Sequence, residues 1–195
     1  MMIATTLLAL ALGAFLWTFL EYVFHRWLGH RWKKNIFGKE HTRHHSQGDY
    51  FAPAWKKAGA ALIFVGVMAG PAVWIAGLVH GCAFTLGFAS FYLTYEWLHR
   101  RDHTHAGIGF YGRWARRHHF YHHFGDPSKN HGVTSPIWDL VFGTYTTPTK
   151  IVVPEKLKMR WLTQDNGEVW PEFADQYAIR RRKRTPAKSA AESFR

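Results

Sequence analysis

The chain has only one cysteine, Cys82, which lies inside a long apolar run. A single cysteine excludes an intrachain disulfide and any thiolate-rich metal site. Acidic residues are also scarce, 13 against 25 lysines and arginines. The paired Glu-x-x-His motifs of carboxylate-bridged di-iron bundles are missing. Any metal bound here must depend on nitrogen ligands.

Charge is nearly absent from two long stretches. Residues 3–24 carry only Glu21, and residues 58–95 carry no charge. About 20 apolar helical residues cross a bilayer core, so the first stretch predicts one span, at about 3–24. The second predicts a hairpin of two, at about 58–77 and 79–98, that turns within residues 70–81. A cleaved signal peptide is the alternative for the first stretch, but it would have a basic start and a shorter apolar core.

Lysine and arginine lie beside the ends of these spans and are missing from the hairpin turn. The positive-inside rule then places the flanking loops in the cytoplasm. We expect an all-α integral membrane protein with about three transmembrane helices, one N-terminal span plus a hairpin, and a cytoplasmic helical cap rich in histidine. Residues 1–150 form the membrane-embedded domain, and residues 151–195 form a basic cytoplasmic tail. The membrane would be a bacterial inner membrane, or the endoplasmic reticulum in a eukaryote.

The net charge of +12 suits contact with anionic lipid head groups. In isolation, the basic run at residues 180–184 is typical of an RNA-binding or targeting segment. Beside three membrane spans, a disordered cytosolic tail is the favoured interpretation, and no nucleic-acid partner is expected.

Ten of the fourteen histidines form four clusters in the order His-x4-His, His-x2-His-His, His-x3-His and His-x2-His-His. Imidazole is the commonest metal ligand in proteins, and one site needs only three or four such ligands. Ten therefore predict two metal ions. An even number of crossings between the second and third clusters keeps all four on one side of the membrane. The ten candidate ligands are His25, His30, His41, His44, His45, His99, His103, His119, His122 and His123.

The spacing of each cluster predicts its local geometry. In both His-x2-His-His motifs, positions i, i+3 and i+4 share one helical face, so three imidazoles can converge. His25 and His30 are five apart, about 140° on a regular α-helix. We therefore expect His25 to end a helix and Gly29 to break it before His30.

Several other residues have weaker claims on the site. His118 and His131 are expected to lie behind the ligands or to contact substrate, whereas His80 and His105 have no expected ligand role. Ligating imidazoles need a hydrogen-bond acceptor behind them. The acidic candidates for that task are Asp139, which ranks first, and Asp102, Glu96 and Glu21.

An all-imidazole pair of metals at a membrane surface predicts oxidation of a lipid C–H bond. Spacing alone does not distinguish iron from zinc. The segment 125–145, rich in turn residues, is expected to cap the site and hold the lipid head group. The rival class is a non-enzymatic membrane metal-binding or transport protein. A transporter carries ionisable groups within its spans, where this hairpin has only His80.

The ordered histidine motifs, followed by HGVTSPIWDLVFGTY at residues 131–145, resemble the fatty acid hydroxylase superfamily, which includes sterol desaturases. Within it the chain is most similar to fatty acid 2-hydroxylases of the sphingolipid-modifying type. Such enzymes often have four spans, where this sequence predicts three.

The resemblance implies two iron ions held by the ten clustered histidines, with zinc possible in purified protein. It further implies a lipid acyl substrate, dioxygen, and two electrons from a separate ferredoxin or cytochrome-b5-type donor. A carotenoid ring hydroxylase and a lipid or sterol desaturase remain alternatives on the same scaffold.

Overall fold

The structure is a computed structural model that describes residues 1–181. It is mostly helical. Of the predicted basic run at 180–184, residues 182–184 lie outside the described part. The elements in chain order are α1 (Met2–Val23) with a π-helical continuation (Phe24–Arg31), α2 (Ile36–Ser46), α3 (Ala54–Thr104), α4 (Gly109–Phe124), α5 (Ile137–Val141), β1 (Ile151–Pro154) and β2 (Tyr177–Arg180).

Two helices are long and apolar enough to cross a membrane, α1 with its continuation and α3. The second is bent at Gly77, whose φ of 76° and ψ of 168° are not helical. Glycine adopts this left-handed region at little cost. The bend lies within the 70–81 window and divides α3 into two arms, 54–76 and 78–104. A hydrogen bond from the Tyr92 hydroxyl to the Lys57 carbonyl, 3.1 Å long, joins the arms far from the bend.

The first helix packs closely on the second arm because glycine removes the side chains between them. A Cβ atom at Gly87 would lie 1.9 Å from the Leu10 carbonyl oxygen, and one at Gly13 would lie 1.9 Å from that of Phe84. Small residues permit such close backbone approach in membrane helices. The contact fixes α1 against the arm that carries two of the histidine positions.

The C-terminal segment is folded onto α4. Phe120 of α4 belongs to a buried cluster with Ile151 of β1 and Tyr177 of β2. The two strands pair in parallel. The all-α expectation is therefore wrong for this segment, and residues 151–180, expected to begin a tail, form part of the structure. The sequence pattern that would predict these strands was weak because each strand has only four residues.

A buried arginine reinforces this junction. The Arg116 guanidinium lies 4.6 Å from the ring centre of Trp161, 4.8 Å from that of Phe173 and 5.4 Å from that of Tyr177. Aromatic faces attract a cation, the more strongly when water is excluded. The C-terminal segment thereby holds α4, which carries three of the candidate ligands.

The short helix α5 lies along α1. Trp138 contacts Phe15 and Phe19, with ring centres 5.3 Å and 4.7 Å apart. Its indole nitrogen donates a 2.9 Å hydrogen bond to Thr18. Part of the segment that was expected to form a polar cap is therefore apolar, and it packs against the side of α1.

Replacing Gly87 by valine should destabilise the protein by about 1–3 kcal/mol, because the new side chain has no space against α1. The matched control is Gly66→Val in the first arm, where a Cβ meets nothing within 4 Å. Thermal unfolding in detergent measures both variants. Equal melting temperatures would contradict the close packing of α1 on α3.

Candidate metal centre

The ten clustered histidines come together in two groups of five. Within each group, one nitrogen from every imidazole lies within 4.8 Å of the others. Group one is His25, His30, His41, His45 and His122, and group two is His44, His99, His103, His119 and His123. Seven of the ten are buried and three are half-buried.

Each His-x2-His-His motif contributes to both groups. In α2, His41 and His45 join group one while His44 joins group two. In α4 the pattern is reversed, because His119 and His123 join group two and His122 joins group one. Neighbouring residues on an α-helix point about 100° apart, whereas i and i+4 share a face. The expectation that three imidazoles of one motif converge on one side is therefore wrong.

His25 and His30 both lie in the π-helical segment Phe24–Arg31. Hydrogen bonds from i to i+5 define this helix, so residues five apart lie above one another and both imidazoles enter group one. The expected break at Gly29 does not occur. A Cβ there would lie 2.8 Å from the His41 ring, so this glycine allows a second ligand helix to approach.

Backbone carbonyls fix the direction of several rings. The Nδ1 atoms of His44 and His122 lie 2.7 Å from the carbonyl oxygens of Tyr50 and Lys129, respectively. The Nδ1 atom of His25 faces the carbonyl oxygen of His131. A neutral imidazole has one donor and one acceptor nitrogen. With Nδ1–H donated to a carbonyl, Nε2 presents a lone pair to the centre.

These imidazoles are held in the neutral form that binds metals. Burial lowers the pKa of His44 to about 4. Burial, helped by neighbouring imidazoles, lowers the pKa of His122 and His123 well below the usual range. The buried Nε2 atoms of His25 and His45 have no hydrogen-bond partner. Converging lone pairs without donors fit a cation, so the residues suit two metal ions.

The two groups are neighbours. The rings of His45 in group one and His123 in group two stack with their centres 3.9 Å apart and their planes within 5°. Two metals held here would therefore lie side by side and could act on one substrate.

Asp139 is buried behind group one and organises the loop beside it. It accepts hydrogen bonds from the backbone nitrogens of His131 and Gly132, both 2.8 Å, and from His118 at 3.1 Å. Burial raises the pKa of Asp139, but hydrogen bonds from His118, His131, Thr144 and Gly132 outweigh that effect and hold the pKa below its usual range.

The expected supporting roles therefore change in detail. His118 binds Asp139, and the His131 ring packs beside group one, 5.2 Å from that of His122. The carboxylate of Asp139 reaches His25 only through the His131 backbone. The sequence ranked Asp139 first as the acceptor for ligand N–H groups, but in the structure the carbonyls of His131, Tyr50 and Lys129 face the ring nitrogens of His25, His44 and His122.

The other three acidic residues do not orient ligands. Glu21 accepts hydrogen bonds from the backbone nitrogen and the hydroxyl of Thr134, at 2.9 and 2.6 Å, and so fastens the loop that carries His131. Glu96 pairs with Lys57, and Oδ2 of buried Asp102 has no partner. These expectations were wrong because a sequence pattern does not show which backbone groups a carboxylate reaches.

His80 and His105 lie outside both groups. His80 bonds to the Thr5 hydroxyl at 2.9 Å, and His105 bonds to its neighbour Thr104. Neither residue was expected to be a ligand.

A cavity of about 320 Å³ opens beside the two groups. His41 of group one and His44 and His99 of group two line one end, and apolar residues of α1, α2 and α3 form most of its walls. No residue of 125–145 lines it. The expected placement of a head group under that segment therefore receives no support from this cavity.

The model of a family described as "Fatty acid hydroxylase" matches residues 10–144. The chain is 28% identical over 152 residues to a dihydroceramide fatty acyl 2-hydroxylase, FAH1, of Arabidopsis thaliana, which covers 70% of this chain and 60% of the relative. It is 29% identical over 154 residues to a fatty acid 2-hydroxylase of Homo sapiens, covering 69% of this chain and 38% of the relative.

A third relative, the ceramide very long chain fatty acid hydroxylase scs7 of Schizosaccharomyces pombe, is 30% identical over 149 residues, covering 68% of this chain and 41% of the relative. The alignments thus span 60% or less of each relative's length. No solved structure matches the chain.

Removing three ligands from one group should halve the metal content, because two imidazoles are too few to hold an ion. His25, His30 and His41 changed together to alanine test group one, and His99, His103 and His119 test group two. The control is His80→Ala with His105→Ala. Elemental analysis of monodisperse protein should give about one ion for each triple variant and two for the control. Loss of both ions from either folded triple variant would contradict two separate centres.

Proposed function

This chain belongs to the fatty acid hydroxylase family, and we propose that it hydroxylates the acyl chain of a membrane lipid at a pair of iron ions. One observation carries the proposal. Two adjacent groups of five neutral imidazoles border an apolar cavity among helices long enough to cross a bilayer.

The ten histidines would hold the metals, five to each ion. All-nitrogen ligands keep ligand charge low and suit iron, and they also bind zinc, which purified protein can contain instead. Iron at this site would supply the dioxygen and electron chemistry that oxidation of an unactivated C–H bond requires. The two electrons come from a separate ferredoxin or cytochrome-b5-type protein.

The chain's own residues position the ligands and shield the site. Glu21 and Asp139 fix the loop that carries His131, and the carbonyl of His131 orients His25. The cavity walls from α1 and α3 exclude water from an acyl chain. Moving that chain wholly into water would cost about 0.8 kcal/mol per methylene. A cavity reached from the bilayer avoids this cost.

The proposed topology has three crossings, α1 and the two arms of α3, with the histidine groups on the cytoplasmic face. Basic residues are clustered at that end, as the positive-inside rule requires. Trp55 and Trp97 are 72% and 60% exposed at the ends of the arms. Exposed tryptophans at this level are typical of a membrane–water boundary.

The names of the relatives favour hydroxylation of an acyl lipid over the two alternatives, carotenoid ring hydroxylation and desaturation. The two groups of imidazoles are chemically compatible with all three reactions. The product therefore decides between them.

Expression of the chain in a host supplied with an electron donor should produce acyl lipids heavier by one oxygen atom. Lipid mass spectrometry measures this product, and the variant with His25, His30 and His41 changed to alanine is the control, because it leaves group one with too few ligands to hold an ion. Lipids lighter by two hydrogens would instead indicate a desaturase. Unchanged lipids with oxidised carotenoids would indicate a ring hydroxylase.

Cysteine labelling tests the topology. Cysteines introduced at Gly48 and Arg113 in a Cys82→Ser background should react only with a reagent that reaches the cytoplasm, because an even number of crossings separates them. A tag before Met1 should be accessible from the opposite side. Labelling of the two cysteines from opposite faces would show that residues 58–98 cross once, and one shared site would be impossible.

A further inference from the structure

The cavity beside the histidine groups has a charged rim that the ligand set does not use. Lys57 at the start of the first arm pairs with Glu96 near the end of the second, and Lys56 pairs with Glu40 of α2. All four residues line the cavity. The four side chains are 20–35% exposed, so water or a ligand in the cavity can reach both pairs.

The two pairs lie at the depth expected for a lipid head group. Lys57 is two residues from Trp55, and Glu96 is adjacent to Trp97, the exposed tryptophans at the ends of the arms. Apart from the histidines and Glu21, whose carboxylate bonds to Thr134, the rest of the lining is mostly apolar or aromatic, and Phe64 of the first arm stacks on Phe24 with 5.1 Å between ring centres. The cavity therefore has a charged rim and mostly apolar walls, which suits a lipid with a polar head and an acyl chain.

Lys57 lies close to the histidine groups. Its ammonium is 5.6 Å from the centre of the Phe51 ring, and that ring is 5.3 Å from the His44 ring and 5.9 Å from the His99 ring. One aromatic ring thus separates the charge from two candidate ligands. For Lys56 the structure shows a contact with Trp55, on the exposed side.

We propose that the Lys57–Glu96 pair binds the polar end of the acyl lipid and thereby determines which carbon reaches the metals. The inference rests on the proposed function and assigns a positioning role within it. The ammonium donates to the acyl carbonyl oxygen, and the Glu96 carboxylate accepts from an N–H or O–H group of the head. A head with both a donor and an acceptor, such as an amide, satisfies both partners.

The same geometry limits the site of oxidation. A carbonyl oxygen hydrogen-bonded to Lys57 lies about 2.8 Å from its nitrogen, and each further carbon adds a bond of about 1.5 Å. The carbons next to the carbonyl therefore lie at the end of the cavity where Phe51 contacts both Lys57 and the two candidate ligands His44 and His99. The methyl end of the chain extends down the apolar part of the cavity, towards Phe64.

The first test measures binding without turnover in zinc-loaded protein. An N-acyl amide and a free fatty acid, both brominated along the chain, quench the fluorescence of Trp17, which lines the cavity. The contribution of Trp17 is obtained by subtracting the quenching measured in the Trp17→Phe variant from that measured in the protein with Trp17. Lys57→Met should weaken amide binding about tenfold, the loss of one charge-assisted hydrogen bond, and Lys39→Met, on the exposed side of α2, should not. Unchanged amide binding in Lys57→Met, or tighter binding of the free acid than of the amide by the wild type, would overturn the proposal.

The second test separates head-group binding from a structural link between the arms. The exchange Lys57→Glu with Glu96→Lys keeps an ion pair but moves the ammonium to the other arm. We expect normal metal content and melting temperature, with weaker amide binding and a changed hydroxyl position by fragmentation mass spectrometry. Wild-type binding and position would show that the pair only joins the arms. A wild-type protein that binds the amide but oxidises no lipid would instead count against the proposed function alone.

Discussion

The structure depends on one constraint, that the buried imidazoles of each group must turn nitrogen lone pairs towards a common point, and in three of them a hydrogen bond holds the other ring nitrogen in place. Peptide carbonyls meet this need for His25, His44 and His122. A carbonyl oxygen can only accept a hydrogen bond, so the ring nitrogen that faces it must carry the proton, and this selects one tautomer of a neutral ring. Because burial keeps these rings uncharged, the groups are ready for cations without a cluster of carboxylates nearby.

The surrounding elements serve this arrangement from several directions. The π-helix aligns two histidines that are five residues apart. Because His44 and His45 point in different directions, α2 contributes histidines to both groups. The C-terminal segment encloses Arg116 and so fixes α4, although it supplies no candidate ligand. Glu21 connects α1 to the loop behind group one. The site therefore joins segments far apart in sequence.

Part of this was predictable. The histidine motifs are local, so the ten residues that form the two groups could be selected from the sequence, and their number predicted two metal ions. The length of the second apolar stretch indicated a bend within residues 70–81, and the structure has one at Gly77. The division between the centres was not predictable, because it depends on how α2 and α4 face each other across the site. The π-helix was missed because the α-helical period was assumed for His25 and His30. The contacts of Glu21 and the short strands depend on tertiary packing that no local pattern reveals.

The central claim is that the ten histidines form two adjacent metal sites of five imidazoles each. Anomalous X-ray scattering from crystals of iron-loaded protein, collected above and below the iron absorption edge, tests it most directly. The account predicts two anomalous peaks, one among His25, His30, His41, His45 and His122 and the other among His44, His99, His103, His119 and His123. A single peak shared by both groups, or peaks outside them, would contradict it.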